Sequence, residues 1–334
     1  MNPSPARPKV LVARAVFPEA IARLRQHFEV STNDDDTEWP AAELSRRLQG
    51  HSGLLCTGGE RIDAALLDAN PQLRAVCLMT VGYNNVDVPA CTARGVLASN
   101  APGVLTETTA DLGFALMMAA ARRMSEAERY LRAGLWKNWR FDMLVGCDVH
   151  GSTLGILGMG RIGQAIARRG ALGFGMKVVY HQRTRLAPDD EAPLGARFVD
   201  KATLLREADH LILVLPYSPA SHHTVGAAEL ALMKPSATLT NVARGGIVDD
   251  VALIQALRER RIAAAGLDVF ENEPELHPDF LSLPNVVLLP HVGSATEATR
   301  RAMVGLAADN LIAALTGGVP PTPINPEVLP QQPT

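Results

Sequence analysis

From residue 9 onward the chain alternates short apolar runs with amphipathic stretches of helical period, and no other feature constrains the fold as much. Residues 10–13, 53–56, 75–79 and 96–98 read as buried strands, since short apolar runs between turn signals fit a sheet covered on both faces. Helical patterns fill the gaps at 18–28, 41–48, 62–67 and 87–94. The last has Asp87 in N-cap position and Gly95 just past its end, which are start and stop signals of a helix. Such alternation implies a parallel, doubly wound sheet.

Near Pro102 the rhythm changes. Residues 106–123 form one long helix candidate, and a second α/β series follows it. Its strands are expected at 153–157, 177–180, 211–215, 238–242, 266–269 and 286–289, with helices such as 162–172 and 250–260 between them. Ser294-Ala295-Thr296-Glu297 is a capping-box pattern opening a helix that runs to about residue 315. The proline-rich tail from residue 317 is expected to be extended and partly disordered. The fold class expected is therefore α/β, with two Rossmann-like doubly wound parallel-sheet domains and an interdomain cleft.

Composition narrows the function classes. A formal charge of -3 over 334 residues gives no field for nucleic acid or anionic lipid. The longest apolar run, 112–121, falls short of the roughly 20 residues of a membrane-spanning helix. Cys56, Cys77, Cys91 and Cys147 form no metal-ligand spacing with any histidine, so no metal is expected and a reducing compartment, the cytoplasm, is. Residues 1–9 lack the apolar core of a targeting signal.

Gly158-Met159-Gly160-Arg161-Ile162-Gly163 follows one of the expected strands and opens a helix. That context turns a weak motif into a dinucleotide-binding turn, in which the helix N-terminus faces the pyrophosphate. A ligand-free glycine turn is the alternative, and the flanking elements weigh against it. The following strand ends in His181-Gln182-Arg183-Thr184-Arg185, where an NAD-specific fold carries an acid for the ribose 2′-hydroxyl. No acid appears before Asp189. Arg183 and Arg185 either pair with a 2′-phosphate or are solvated loop residues; the missing carboxylate favours NADP(H), with NAD(H) possible.

Open α/β sheets bind ligands beyond the carboxyl ends of their strands. Three polar residues stand there: Arg244, Glu273 and His291. A 2-keto acid needs a cation for its carboxylate and carbonyl, and a proton donor for the oxygen as hydride arrives. Arg244 suits the first task and His291 the second, with Glu273 orienting the imidazole and raising its pKa. Taken singly, each also fits a structural role, such as a surface ion pair for Arg244 and Glu273.

Together with Asn241-Val242-Ala243-Arg244-Gly245-Gly246, Ala265-Gly266-Leu267-Asp268-Val269-Phe270 and Leu289-Pro290-His291-Val292-Gly293-Ser294-Ala295-Thr296, these residues resemble the D-isomer-specific 2-hydroxyacid dehydrogenase family from about Val10 to Asn325. Within it, Thr80-Val81-Gly82-Tyr83-Asn84-Asn85-Val86-Asp87, Leu105-Thr106-Glu107-Thr108 and the acid-free strand end look most like the bacterial glyoxylate/hydroxypyruvate reductase B (2-ketogluconate reductase) branch. The resemblance implies a substrate-binding, flavodoxin-like domain (1–101 plus 292–334) and a dinucleotide-binding Rossmann domain (102–291). It implies NADPH-dependent reduction of glyoxylate, hydroxypyruvate or 2-ketogluconate to D-2-hydroxy acids, with substrate held by the Val81 and Gly82 N–H groups, Arg244 and His291. Cofactor contacts are expected from Val81, Thr106, Gly158, Gly160, Arg161, Ile162, Gly163, His181, Arg183, Thr184, Arg185, Leu215, Pro216, Val242, Ala243, Asp268, Gly293 and Ser294. The family resemblance further implies a homodimer through residues 106–149, with Trp136 and Trp139; the alternative makes those tryptophans core residues of one subunit. An NAD-linked dehydrogenase and a dinucleotide-sensing corepressor-like protein stay open as other readings.

Overall fold

The computed structural model describes residues 7–329, so the ends of the proline-rich start and of the tail lie outside the described residues. The chain divides into two compact units, Met1–Leu105 with Thr296–Thr334, and Thr106–Ala295. The first holds β1 (Lys9–Val12), α1 (Pro18–Arg25), β2 (Glu29–Thr32), α2 (Ala41–Leu48), β3 (Gly53–Cys56), α3 (Ala64–Ala69), β4 (Ala75–Leu78), α4 (Val88–Ala93) and β5 (Leu97–Ser99). Its sheet is parallel in the order β2-β1-β3-β4-β5. β3, β4 and β5 are buried at every position, as expected for strands covered on both faces. Asp87 caps α4 by accepting from Ala90 N–H at 2.9 Å, as its sequence position implies.

The second unit opens on α5 (Thr106–Ala121) and α6 (Met124–Arg132). The single helix expected over 106–123 breaks because Arg123 takes a left-handed φ of 52°. β6 (Thr153–Leu157), α7 (Arg161–Arg168), β7 (Lys177–His181), α8 (Pro188–Glu191), β8 (Arg197–Phe198), α9 (Lys201–Glu207) and β9 (His210–Leu213) follow. Then come α10 (Ala227–Leu230), β10 (Thr238–Asn241), α11 (Asp250–Arg258), β11 (Ala264–Leu267) and β12 (Val286–Leu288). This parallel sheet runs β12-β11-β10-β9-β6-β7-β8, with an apolar core on each face. The helix expected to reach residue 172 loosens after Arg168 into a π turn, Arg169–Gly173.

The first unit is completed by α12 (Glu297–Thr316). Its cap is Thr296, which accepts from Thr299 N–H at 3.3 Å, and not the expected Ser294, so the helix starts two residues later than the capping-box reading placed it. The tail is extended as expected, and the correction concerns the disorder expected of it over residues 322–325. Instead of loosening, residues 322–325 lie along β5: Ile324 N–H donates to Ala98 O at 2.8 Å, and the wholly buried Asn325 accepts from Ala98 N–H at 2.8 Å and donates to Val96 O at 2.9 Å. Asparagine satisfies both groups of an edge strand that would otherwise be buried without partners.

Candidate active site

β6 ends at Leu157 and α7 begins at Arg161, so residues 158–160 make the turn. Gly158 has φ 100° and donates its N–H to His181 O at 2.9 Å; a Cβ there would stand 2.8 Å from Leu215 N. A Cβ on Gly163 would meet the Gly158 carbonyl oxygen at 2.3 Å, so helix and turn pack backbone to backbone. Gly160 is the N-cap of α7, offers no side-chain cap, and has nothing within 4 Å of where its Cβ would stand. The N–H groups of Arg161 and Ile162 therefore face an open space at the positive end of a helix, a cradle that fits a pyrophosphate.

Past β7, Gln182 does work that sequence reasoning passed over. Its Oε1 accepts from Met159 N–H at 2.9 Å and its Nε2 donates to Thr184 O at 2.7 Å, tying the glycine turn to the next loop. Its place one residue beyond a strand end was the available signal. His181 is engaged through Nδ1 with Val199 O at 2.8 Å. Arg185 closes a two-pronged pair on Glu191 at 2.9 and 2.7 Å. The hydrogen bonds from Arg185 and then Tyr180 hold the Glu191 carboxyl down at about 2. Arg183 is exposed and its guanidinium has no hydrogen bond or ion pair among the described residues.

The ends of β9, β10, β11 and β12 supply the rest. Leu215 and Pro216 follow β9, and Val242 and Ala243 follow β10 as buried residues. Asn241, another residue not singled out from sequence, accepts from Ala243 N–H at 3.0 Å and donates to Arg244 O at 3.2 Å, fixing the backbone that presents Arg244. Gly245 then passes so close to the Phe270 carbonyl that a Cβ would overlap it. The half-buried Arg244 guanidinium spends Nη1 on Ala243 O at 2.7 Å. Burial pushes its pKa down, against the attraction of Glu273.

His291 Nδ1 and Glu273 Oε2 are 2.7 Å apart. The other Glu273 oxygen accepts from Phe270 N–H at 2.9 Å. Burial alone would raise the Glu273 carboxyl; the His291 hydrogen bond, the Phe270 N–H and the charges of His291 and Arg244 outweigh it and leave it below its ordinary value. Asp268 locks the turn behind the imidazole. Its backbone oxygen accepts from His291 N–H at 2.9 Å, while its side chain accepts from Val292 and Gly293 N–H groups, both at 2.8 Å. Burial raises the Asp268 carboxyl despite those bonds. Its oxygens thus hold the His291 turn, and His291 keeps a left-handed φ of 54°.

In the first unit, the Val81 and Gly82 carbonyls are taken by Asn100 Nδ2 at 2.7 Å and Thr80 Oγ1 at 2.9 Å. Neither N–H has a partner among the described residues. Thr106 opens α5 in the second unit, and Ser294 follows the Gly293 turn. His222, His223 and Glu271 bring ligating atoms within 4.8 Å of one another. The two rings stack at 3.8 Å and 22°, and His223 Nε2 is already paired with the Glu271 carboxylate. No helix among the described residues is long and apolar enough to cross a membrane.

Residues 114–293 match the model of the D-isomer specific 2-hydroxyacid dehydrogenase NAD binding domain. Glyoxylate reductases of Thermococcus onnurineus and Thermococcus gammatolerans are 48% and 47% identical over 327 residues, covering 97% of this chain and of each relative. Among solved structures, the NADPH-dependent glyoxylate/hydroxypyruvate reductase of Sinorhizobium meliloti in complex with NADP and malonate is similar with a TM-score of 0.87 and 37% identity, over 98% of this chain and 100% of that one.

Proposed function

From the premise that this chain belongs to the D-isomer-specific 2-hydroxyacid dehydrogenase family, an oxidoreductase family acting here on 2-keto acids, we propose that it reduces glyoxylate and hydroxypyruvate, with 2-ketogluconate as a longer substrate, using NADPH. A dinucleotide held at the turn of residues 158–163 and the start of α7 would supply the hydride for the substrate's second carbon. Arg244 grips the carboxylate and polarises the carbonyl with the donors left on its fork. With Nδ1 engaged by Glu273, His291 has Nε2 left to hand a proton to the carbonyl oxygen, which becomes the hydroxyl of a D-2-hydroxy acid. Glu273 stays ionised, keeps the ring oriented and balances the imidazolium charge. The unpartnered N–H groups of Val81 and Gly82 are assigned to the substrate carboxylate as well. Asp268 is a positioning residue, because it fixes the turn that carries the imidazole.

The observation that carries this reading is the 2.7 Å pair between His291 and Glu273, two residues 18 apart in the chain. The NADPH preference rests on Arg183, the free guanidinium past β7, and on the lack of an acid at that strand end. The Sinorhizobium relative's description as NADPH-dependent agrees with it. A homodimer through residues 106–149 and a cytoplasmic setting belong to the same proposal; the exposed apolar side chains of that segment and the four free cysteines support them. The test is to follow NADPH and NADH oxidation with glyoxylate, hydroxypyruvate and 2-ketogluconate. Substrate-dependent oxidation favouring NADPH is expected; tight dinucleotide binding without turnover would instead favour the sensing, corepressor-like reading.

A further inference from the structure

We propose that the first unit carries a small-molecule site of its own, a pocket for an organic carboxylate with a short apolar body, anchored by Arg300. In the sheet order β2-β1-β3-β4-β5 the chain winds one way from β1 and the other way from β3. The carboxyl ends of those neighbouring strands form a topological switch point, the place where open α/β sheets leave a crevice for ligands. A cavity of about 380 Å³ lies there, reached by residues 14–18 after β1, Thr57 after β3, Met79 and Thr80 at the end of β4, and Arg300, Met303 and Val304 of α12. Its volume falls within the range of small-molecule sites.

The lining decides the chemistry. Val16, Phe17, Pro18, Met79, Met303 and Val304 make the walls apolar. The polar groups are spent elsewhere, apart from one: Thr57 Oγ1 donates to Glu60 at 2.8 Å, Thr80 Oγ1 to Gly82 O at 2.9 Å, and Arg14 closes on Asp36 at 2.9 and 3.2 Å. Arg300 is half-buried, yet its guanidinium has no hydrogen bond or ion pair among the described residues, whereas Arg301 beside it pairs with Glu297 at 2.9 Å. A guanidinium has five donors and no acceptor, and its fork matches a carboxylate. One free cation among apolar walls selects a monoanion with a hydrocarbon body over a phosphate dianion or a sugar.

The site uses none of the residues assigned to keto-acid reduction, so the two readings stand or fall separately. The test is calorimetric titration of the protein, with and without NADPH, with hexanoate, and with acetate as the bodiless control. Saturable one-to-one binding of hexanoate is expected, with acetate much weaker. Arg300→Met should weaken hexanoate about tenfold or more, the worth of a charge-assisted hydrogen bond, and Arg300→Lys less so. Ala15→Trp, on the rim, should weaken it while leaving Arg300 in place, which keeps the test decisive should Arg300→Met fail to fold. Arg244→Met should leave hexanoate binding unchanged. Absence of saturable binding, full affinity in a folded Arg300→Met, or loss in Arg244→Met would overturn the site; loss in Arg244→Met would place the carboxylate at the reduction centre instead. Failure of the keto-acid reading shows in the NADPH oxidation assay and leaves these outcomes untouched.

Discussion

Among the described residues, Arg244 commits a single side-chain hydrogen bond to the protein, from Nη1 to Ala243 O, so most of its fork is left for a ligand. Arg244→Lys keeps the charge and loses the two-pronged geometry. Steady-state kinetics should show kcat/KM for hydroxypyruvate lower by about 10²–10³, the scale of one lost preorganised donor; near wild-type activity would remove Arg244 from the mechanism. The arginines past β7 make a sharper pair. Arg183→Ala should weaken NADPH about 10–100-fold relative to NADH, the worth of a charge-assisted contact. Arg185→Ala should barely move that ratio, since its guanidinium belongs to Glu191. Equal effects of the two substitutions in a fluorescence titration would contradict this assignment. Sequence reasoning could rank neither arginine above the other. Their difference depends on a six-residue loop folding Glu191 back under Tyr180, which leaves no periodic trace.

At the scale of elements, the turn between β6 and α7 is tightly specified, because its glycines replace side chains with backbone contact. Gly163→Ala would push a methyl into the Gly158 carbonyl and should cost about 1–3 kcal/mol of stability. Thermal unfolding with and without NADPH would read the drop, together with weaker cofactor protection; an unchanged melting temperature would mean that the turn can shift freely. Much of this architecture was legible. Buried strands such as β3 and β6 announce themselves as continuous apolar runs bounded by turns. β2 did not, being a polar edge strand, Glu29-Val30-Ser31-Thr32, that hides only part of its surface, and β8 is two residues long. The docked tail was missed for a similar reason: proline content signals lack of helix, while the deciding contacts come from Asn325 against a strand more than two hundred residues earlier. At the centre itself, residue types past strand ends pointed to Arg244, Glu273 and His291, but not to Asn241 and Asp268 as the supports of their turns.

At the scale of the whole molecule, the segment after α6 leaves several large apolar side chains uncovered, among them Leu135, Trp136, Trp139, Phe141 and Val145. Trp139 is 69% exposed and Phe141 91%, and they pack edge to face with each other at 6.0 Å. The alternative that the tryptophans of this segment are core residues of a single subunit is thereby set aside, and a covering partner is expected. Sedimentation equilibrium should give twice the chain mass of 35.7 kDa for the wild type. Trp139→Glu combined with Phe141→Ser should shift it toward the monomer, and a wild type that sediments as one chain would rule out this interface. Asn is among the few residues that accept the left-handed backbone of position 291, so His291→Asn removes the proposed proton donor with little disturbance of the backbone. The most direct measurement is kcat/KM for NADPH-dependent hydroxypyruvate reduction by His291→Asn, with NADPH affinity measured on the same preparation. A fall of about 10²–10⁴ with cofactor affinity nearly unchanged is expected; reduction at the wild-type rate would show that the imidazole is not the proton donor.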